Sequence, residues 1–151
     1  MHGVLIELAQ PPSDSHTGSK KGFDHLAAMV TDIDSAAKDW SSVLGLNMSA
    51  KIDASDQGIL IGQIPCGKAI VELVQPASGD SPLAAQLENV GEHPASMIAI
   101  EVPDLEGEIA KYRSAGLTVS DSSRGPIPGT MRASLNPEET FGLGIQLVSY
   151  I

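Results

Sequence analysis

Four polar side chains interrupt short apolar segments that are typical of β-strands. His25 lies in FDHLAAMV, Glu72 in IVELV, Gln146 in GIQLV, and Glu7 in LIELA near the start of the chain. A carboxylate that such a strand turns toward a cavity must be paired, bound to a metal ion or solvated. Strands of one sheet bring residues distant in sequence side by side, and imidazole and carboxylate groups suit an open site for zinc or another first-row metal.

These side chains also have ordinary structural explanations. A histidine in a strand is more often packed or hydrogen-bonded than metal-bound, and Glu72 would face solvent if simple alternation placed it on the outer side of its sheet. Cys66 is the single cysteine and lies beside Pro65 and Gly67. We therefore expect Cys66 to be a small loop or buried residue rather than a nucleophile.

An internal repeat positions the polar residues. Residues 23–46 are followed 71–72 positions later by residues 97–117, and both copies contain an apolar strand, Asp, an amphipathic helix and Gly-Leu. His25 falls opposite Met97, and Glu72 precedes Gln146 by 74 positions. Self-similarity at a fixed offset indicates that one supersecondary unit is used twice.

Each copy predicts a βαβββ module. The predicted strands are at 23–30, 47–52, 58–64 and 69–75 in the first module and, after a start near residue 95, at 117–120, 130–135 and 143–150 in the second. The first helix is predicted to begin at Asp32 or Asp34 and to end at Gly45, and the second to span 104–115. Residues 121–129, DSSRGPIPG, predict a loop that could act as a lid.

The pattern divides the chain into segments. Residues 1–12 resemble the end of a preceding module, 13–22 form a linker, 23–76 the first module, 77–94 a connector with a short helix, and 95–151 the second module. An ordinary N-terminal edge strand is the alternative for the first segment. The predicted fold is α+β: tandem βαβββ modules form a cupped, mostly antiparallel eight-stranded sheet around a cavity, with the helices outside and an extra N-terminal strand.

Composition restricts the partners and the compartment. A formal net charge of −10 argues against nucleic acid, and no apolar run reaches the roughly 18 residues of a membrane span. One cysteine provides no disulfide framework, so we expect a reduced, cytoplasmic compartment.

Several stretches resemble the vicinal oxygen chelate superfamily of glyoxalase I, extradiol dioxygenases and bleomycin-resistance proteins, and within it the methylmalonyl-CoA epimerases. The resemblance covers nearly the whole chain. It is carried by Asp24-His25-Leu26, TDIDSAAKDWSSVLGL at 31–46, VELVQP at 71–76, DSPLAAQLENVGE at 80–92 and IAIEVPDL at 98–105.

The resemblance implies a divalent metal ion, such as cobalt, manganese, nickel or zinc, held between the two modules. Carried over, its ligand positions are His25, Glu72, Met97 and Gln146. A thioether suits these ions poorly, and an amide oxygen is a weaker ligand than a carboxylate. The predicted ligands are therefore His25, Glu72 and Gln146, in a weakened site whose metal could have been lost.

The resemblance also implies removal and return of a proton next to a carbonyl, helped by the metal and by carboxylate bases. The candidate catalytic residues are Glu72, Gln146 and Glu7. Gln146 cannot usefully accept a proton, whereas Glu7 could reach a site by strand exchange in a dimer. Arg124 and Lys68 are candidates for binding the phosphates of a thioester cofactor.

Two interpretations of the function remain open. One is a metal-dependent isomerase or lyase acting next to a carbonyl, similar to methylmalonyl-CoA epimerase. The other is a catalytically degenerate, metal-free domain that binds an acyl or hydrophobic ligand or has a structural role. Either leads us to expect a small-molecule or acyl-thioester ligand and a homodimer or tandem partner domain.

Overall fold

One eight-stranded sheet organises the part of the chain that the structure describes. The computed structural model describes residues 22–151, without the side chains of residues 93–96. The strands are β1 (Gly22–Met29), β2 (Ala50–Ala54), β3 (Ile59–Cys66), β4 (Ala69–Pro76), β5 (His93–Glu101), β6 (Ser123–Arg124), β7 (Thr130–Ser134) and β8 (Gly144–Tyr150). The helices are α1 (Ile33–Leu44), α2 (Pro82–Val90) and α3 (Leu105–Ser114).

The sheet consists of two equivalent halves. Its strand order is β2-β3-β4-β1-β5-β8-β7-β6, so β1 and β5, the first strand of each half, lie side by side at the centre. The β1–β5 pair is antiparallel, whereas β1–β4 and β5–β8 are parallel. The expected α+β fold with a cupped, mostly antiparallel sheet is confirmed, and the two halves join into one continuous sheet.

Capping aspartates start the two repeated helices. The Asp32 carboxylate accepts a hydrogen bond from the Ser35 amide, and the Asp104 carboxylate accepts one from the Gly107 amide. Asp32 is therefore the cap of α1, and the alternative, Asp34, lies in its first turn. The helix α1 ends at Gly45, which has φ +68°, a conformation that costs glycine little.

Each half has its own hydrophobic core beneath its helix. In the first half, α1 packs Ile33, Ala36 and Trp40 against buried residues of β3 and β4. In the second half, α3 contributes Leu105 and Ile109 to a core with β7 and β8. The helices thus cover one face of the sheet and leave the other face available for a cavity.

The second half departs from the prediction after α3. The strand predicted at 117–120 is reduced to an isolated bridge between Val119 and Leu135, and the short strand β6 lies inside the predicted loop at 121–129. Two backbone hydrogen bonds flank this bridge, from the Ser120 amide to the Ser134 carbonyl and from the Asn136 amide to the Thr118 carbonyl, so the pairing is present but short. The Val119 carbonyl takes no part in them and accepts from the Arg113 guanidinium at 2.8 Å.

The predicted strand at 1–12, the linker up to residue 21 and Glu7 lie outside the described residues. Among the residues that are described, no helix is long and apolar enough to cross a membrane.

The close approach of α1 to β3 gives a stability prediction. A Cβ added at Gly62 would lie 2.7 Å from Cγ2 of Ile33 and 2.8 Å from Sδ of Met48. We expect Gly62→Ala to lower the free energy of unfolding by about 1–3 kcal/mol in urea titrations, because overpacking displaces the helix. Gly79→Ala, where a Cβ would meet nothing within 4 Å, is the control. Equal unfolding midpoints for the two variants would contradict this packing.

Candidate functional site

The concave face of the sheet encloses a cavity of about 400 Å³ between the two halves. Apolar side chains make up most of its wall, and the polar groups are few. The cavity is lined by Asp24, His25, Ala27, Met29, Ile59, Ile61, Glu72, Val74, Leu83, Gln86, Met97, Gly125, Pro126, Ile127, Thr130, Arg132, Pro137, Gly142, Gly144, Gln146, Val148 and Tyr150.

Strand register brings the three predicted metal ligands into this cavity. His25 in β1 pairs with Ala99 in β5, and Ala99 pairs in turn with Gln146 in β8. Glu72 in β4 pairs with Ala27, which lies two residues beyond His25 on the same face of β1.

A chain of side-chain contacts crosses the cavity wall. The Tyr150 hydroxyl donates to Asp24 Oδ1 at 2.9 Å, and Asp24 Oδ2 lies 2.7 Å from His25 Nδ1. His25 Nε2 lies 3.6 Å from Glu72 Oε2. The Gln63 amide donates to the other Glu72 oxygen, Oε1, at 2.9 Å. Asp24 thus fixes Nδ1 of His25, and Gln63 fixes Oε1 of Glu72. The remaining two atoms, His25 Nε2 and Glu72 Oε2, face each other.

The protonation states at the outer end of this chain follow from the contacts. Burial alone would raise the pKa of Asp24, but hydrogen bonds with His25 and Tyr150 outweigh it and hold that pKa below its usual value. Burial and the Asp24 carboxylate raise the pKa of Tyr150. Asp24 is thus an anion that can only accept, so Tyr150 and His25 Nδ1 both donate to it.

This arrangement leaves a place for a cation between His25 and Glu72. An imidazole whose Nδ1 proton points at Asp24 can present a lone pair at Nε2, and 3.6 Å is too long for a hydrogen bond to Glu72. Two donors that each lie about 2.1 Å from a shared ion can be 3.6 Å apart. A carboxylate behind the imidazole is also the usual support of a metal-bound histidine.

His25 and Glu72 are ligand types that suit a first-row metal ion, but they are only two strong donors. Among residues 22–151, excluding the side chains of 93–96, no group of three or more His, Cys, Asp or Glu could hold an ion. The third predicted donor is the Gln146 amide, which is 7% exposed and forms no side-chain hydrogen bond with the described residues. Met97 lines the same cavity but offers a thioether.

The other predicted site residues lie elsewhere. Lys68 and Arg124 are exposed and do not line the cavity, although Gly125, next to Arg124, does. Glu7 is outside the described residues. Phosphate binding by Lys68 and Arg124 therefore remains a prediction.

The sequence alone did not single out Arg132, Gln63 or Tyr150. Arg132 lines the wall in β7 and donates to the Gln57 side chain at 3.1 Å. The repeat could have predicted that Arg132 faces the cavity, because Arg132 follows Ile61 by 71 positions and Ile61 also lines the cavity. Gln63 and Tyr150 gave no such signal, because their roles depend on which side chain each one meets.

Comparison with known proteins agrees with this architecture. The family model of the glyoxalase/bleomycin resistance protein/dioxygenase superfamily matches residues 24–132. The mitochondrial methylmalonyl-CoA epimerase of Homo sapiens is 24% identical over 148 residues, covering 95% of this chain and 84% of that protein. The ethylmalonyl-CoA/methylmalonyl-CoA epimerase of Cereibacter sphaeroides is 28% identical over 127 residues, 83% of this chain and 95% of that protein.

A solved structure shows the same likeness in three dimensions. The crystal structure of methylmalonyl-CoA epimerase from Mycobacterium tuberculosis superposes with a TM-score of 0.77 at 26% sequence identity. The match covers 86% of this chain and 88% of that one. The fold of this chain is thus shared with that epimerase.

Proposed function

The chain belongs to the glyoxalase/bleomycin resistance protein/dioxygenase superfamily, and we propose on that premise that it is a metal-dependent isomerase acting on the carbon next to a carbonyl. The observation that carries the proposal is the convergence of His25 Nε2 and Glu72 Oε2 in a largely apolar cavity. The names of the relatives, which are epimerases of methylmalonyl-CoA and ethylmalonyl-CoA, support an acyl thioester as the substrate.

His25, Glu72 and Gln146 would hold the ion. A divalent ion bound there would supply Lewis acidity toward the carbonyl oxygen, which acidifies the neighbouring C–H bond. The ligand types, one imidazole, one carboxylate and one amide, favour a first-row metal without selecting among cobalt, manganese, nickel and zinc.

The protein residues perform the remaining tasks. Asp24 fixes the tautomer and the orientation of His25, and Tyr150 holds Asp24 from the outer side. Gln63 holds Glu72 Oε1, so Oε2 faces the cavity. A carboxylate oxygen has two lone pairs, so Oε2 could bind the ion with one of them and accept the proton with the other. The acyl group binds against apolar residues such as Ile61 and Val74, which exclude water and so strengthen these electrostatic contacts.

A specific observation favours a second candidate, a metal-free binding protein. Met97 occupies the position equivalent to His25, and in the described part of the chain the ligand set contains one carboxylate and one imidazole at most. The apolar cavity would then bind an acyl group without transforming it. Homodimerisation and a cytoplasmic location remain predictions under both candidates.

Metal uptake and proton exchange test the proposed function together. We expect purified wild-type protein to bind one divalent ion per chain in calorimetric titrations with cobalt, manganese, nickel and zinc. The loaded protein is expected to exchange the C2 proton of methylmalonyl-CoA for deuterium in D₂O. His25→Ala should lose both properties, because the main nitrogen ligand is removed.

Glu88→Ala is the matched control, since Glu88 is exposed on α2 and does not line the cavity. Exchange that does not depend on added metal would contradict the metal-dependent reaction. Binding of the thioester with neither metal uptake nor exchange would establish the second candidate instead.

A further inference from the structure

Arg132 is a cation without an anionic partner among the described residues. It lines the cavity from β7, and the hydrogen bond that holds it runs from Nη2 to the neutral Gln57 side chain at 3.1 Å. The ion pairs between described residues do not include it. Burial lowers the pKa of Arg132, although a guanidinium stays protonated near neutral pH.

The position of Arg132 relates it to the predicted metal ligands. Arg132 pairs with Val148, which follows Gln146 by two residues on the cavity face of β8. Two residues of a strand span about 7 Å. In the other half, the register pairs Ile61 with Val74, so an apolar side chain occupies the equivalent place. At this strand position the cavity is therefore apolar in the first half and carries a cation in the second.

A half-buried guanidinium in an apolar cavity is costly unless an anion accompanies it. Gln57 keeps Arg132 in place, because its amide nitrogen also donates to the Gly125 carbonyl at 3.1 Å while its oxygen accepts from Arg132. The remaining guanidinium N–H groups have no partner in the described part of the chain. They are available for two parallel hydrogen bonds to a carboxylate.

We propose that Arg132 binds a carboxylate of the substrate and thereby selects acyl compounds that carry a second, anionic group. This inference rests on the proposed function for the place of the carbonyl, near His25 and Glu72. The carboxylate is attached to the carbon next to that carbonyl, and the long side chain of Arg132, which lines the same cavity, reaches it from β7, while the alkyl group packs against Ile59 and Ile61. Arg132 is thus a specificity residue that holds the substrate, and it transfers no proton.

Binding of two pantetheine thioesters, measured by calorimetry without added metal, tests the proposal. One carries a 2-carboxypropanoyl group, and in the other a methyl group replaces the carboxylate. Neither carries nucleotide phosphates, so the surface cations Lys68 and Arg124 do not contribute. We expect the wild type to prefer the carboxylate ligand by about 10- to 100-fold, the range for charge-assisted hydrogen bonds.

Arg132→Gln should abolish that preference, and Arg132→Lys should keep part of it, because a lysine retains the charge without the planar fork. Lys38→Gln, which removes one exposed positive charge from α1, should leave it unchanged. Thermal unfolding of each variant establishes that it is folded. A wild type without the preference, or an Arg132→Gln variant that keeps it, would overturn the proposal. A wild type with the preference but without proton exchange would overturn the proposed isomerase and leave this inference intact.

Discussion

Glu72→Gln is expected to slow exchange of the substrate's C2 proton by about 10²- to 10⁴-fold, the usual contribution of a positioned general base. Glu72 is 4% exposed, and its Oε2 faces the cavity while Gln63 holds Oε1. A glutamine keeps the shape and can still accept from Gln63, but it cannot take a proton. Deuterium uptake in D₂O, followed by mass spectrometry at saturating metal, measures the loss directly.

The control for this variant is Glu88→Gln on the exposed surface of α2. Metal binding must be measured separately, because Glu72 is also a predicted ligand and its neutralisation weakens the site. Exchange at near wild-type rate in metal-loaded Glu72→Gln would assign the proton transfer to another group. Asp24 is the other carboxylate among the described cavity residues, and it already accepts from His25 and Tyr150.

The position of Glu72 also affects the stereochemistry. Inversion at the carbon requires that a proton leave one face and return to the other. On the neighbouring strand β3, Ile59 and Ile61 line the cavity and offer no base. Among the described cavity residues, Oε2 of Glu72 is the one carboxylate oxygen without a hydrogen bond, and a base on one side supports proton removal more directly than inversion.

The repeat was sufficient to predict most of the fold. An apolar strand, a capping aspartate and a helix ended by Gly-Leu recur at one offset, and each part has a local physical cause. The two equivalent units then join through their first strands, β1 and β5, which pair at the centre of the sheet. Near Val119 the prediction was too long: the segment pairs with residues 134–136 through two backbone hydrogen bonds only, which gives an isolated bridge and not a strand.

The site was predictable only as far as the repeat and the resemblance extended. They placed His25, Glu72 and Gln146 in one cavity, and the strand register does bring them there. They did not identify Arg132, because its partner Gln57 lies 75 positions away in the other half and their contact depends on closure of the sheet. Sequence patterns specify which face a side chain takes, whereas its contacts across a cavity depend on the three-dimensional packing.

Met97→His should strengthen metal binding by about 100-fold, since a structural zinc site gains about 3 kcal/mol from each of its four ligands. Met97 pairs with Gly144 in β8 and lines the cavity at the position equivalent to His25. An imidazole there supplies the second nitrogen donor that the thioether cannot replace. Adding Gln146→Glu should raise the affinity further, because it restores an anionic ligand. Calorimetric titration with zinc and cobalt measures both gains.

Lys38→His is the matched control, because it adds an imidazole on the exposed face of α1, away from the cavity. If it raised the affinity as much as Met97→His, the gain would reflect added histidine and not a completed site. No gain from Met97→His with Gln146→Glu would mean that the four strand positions do not converge on one ion. The contact between His25 and Glu72 would then be an ordinary buried polar contact, and the cavity would be a binding site for an acyl ligand alone.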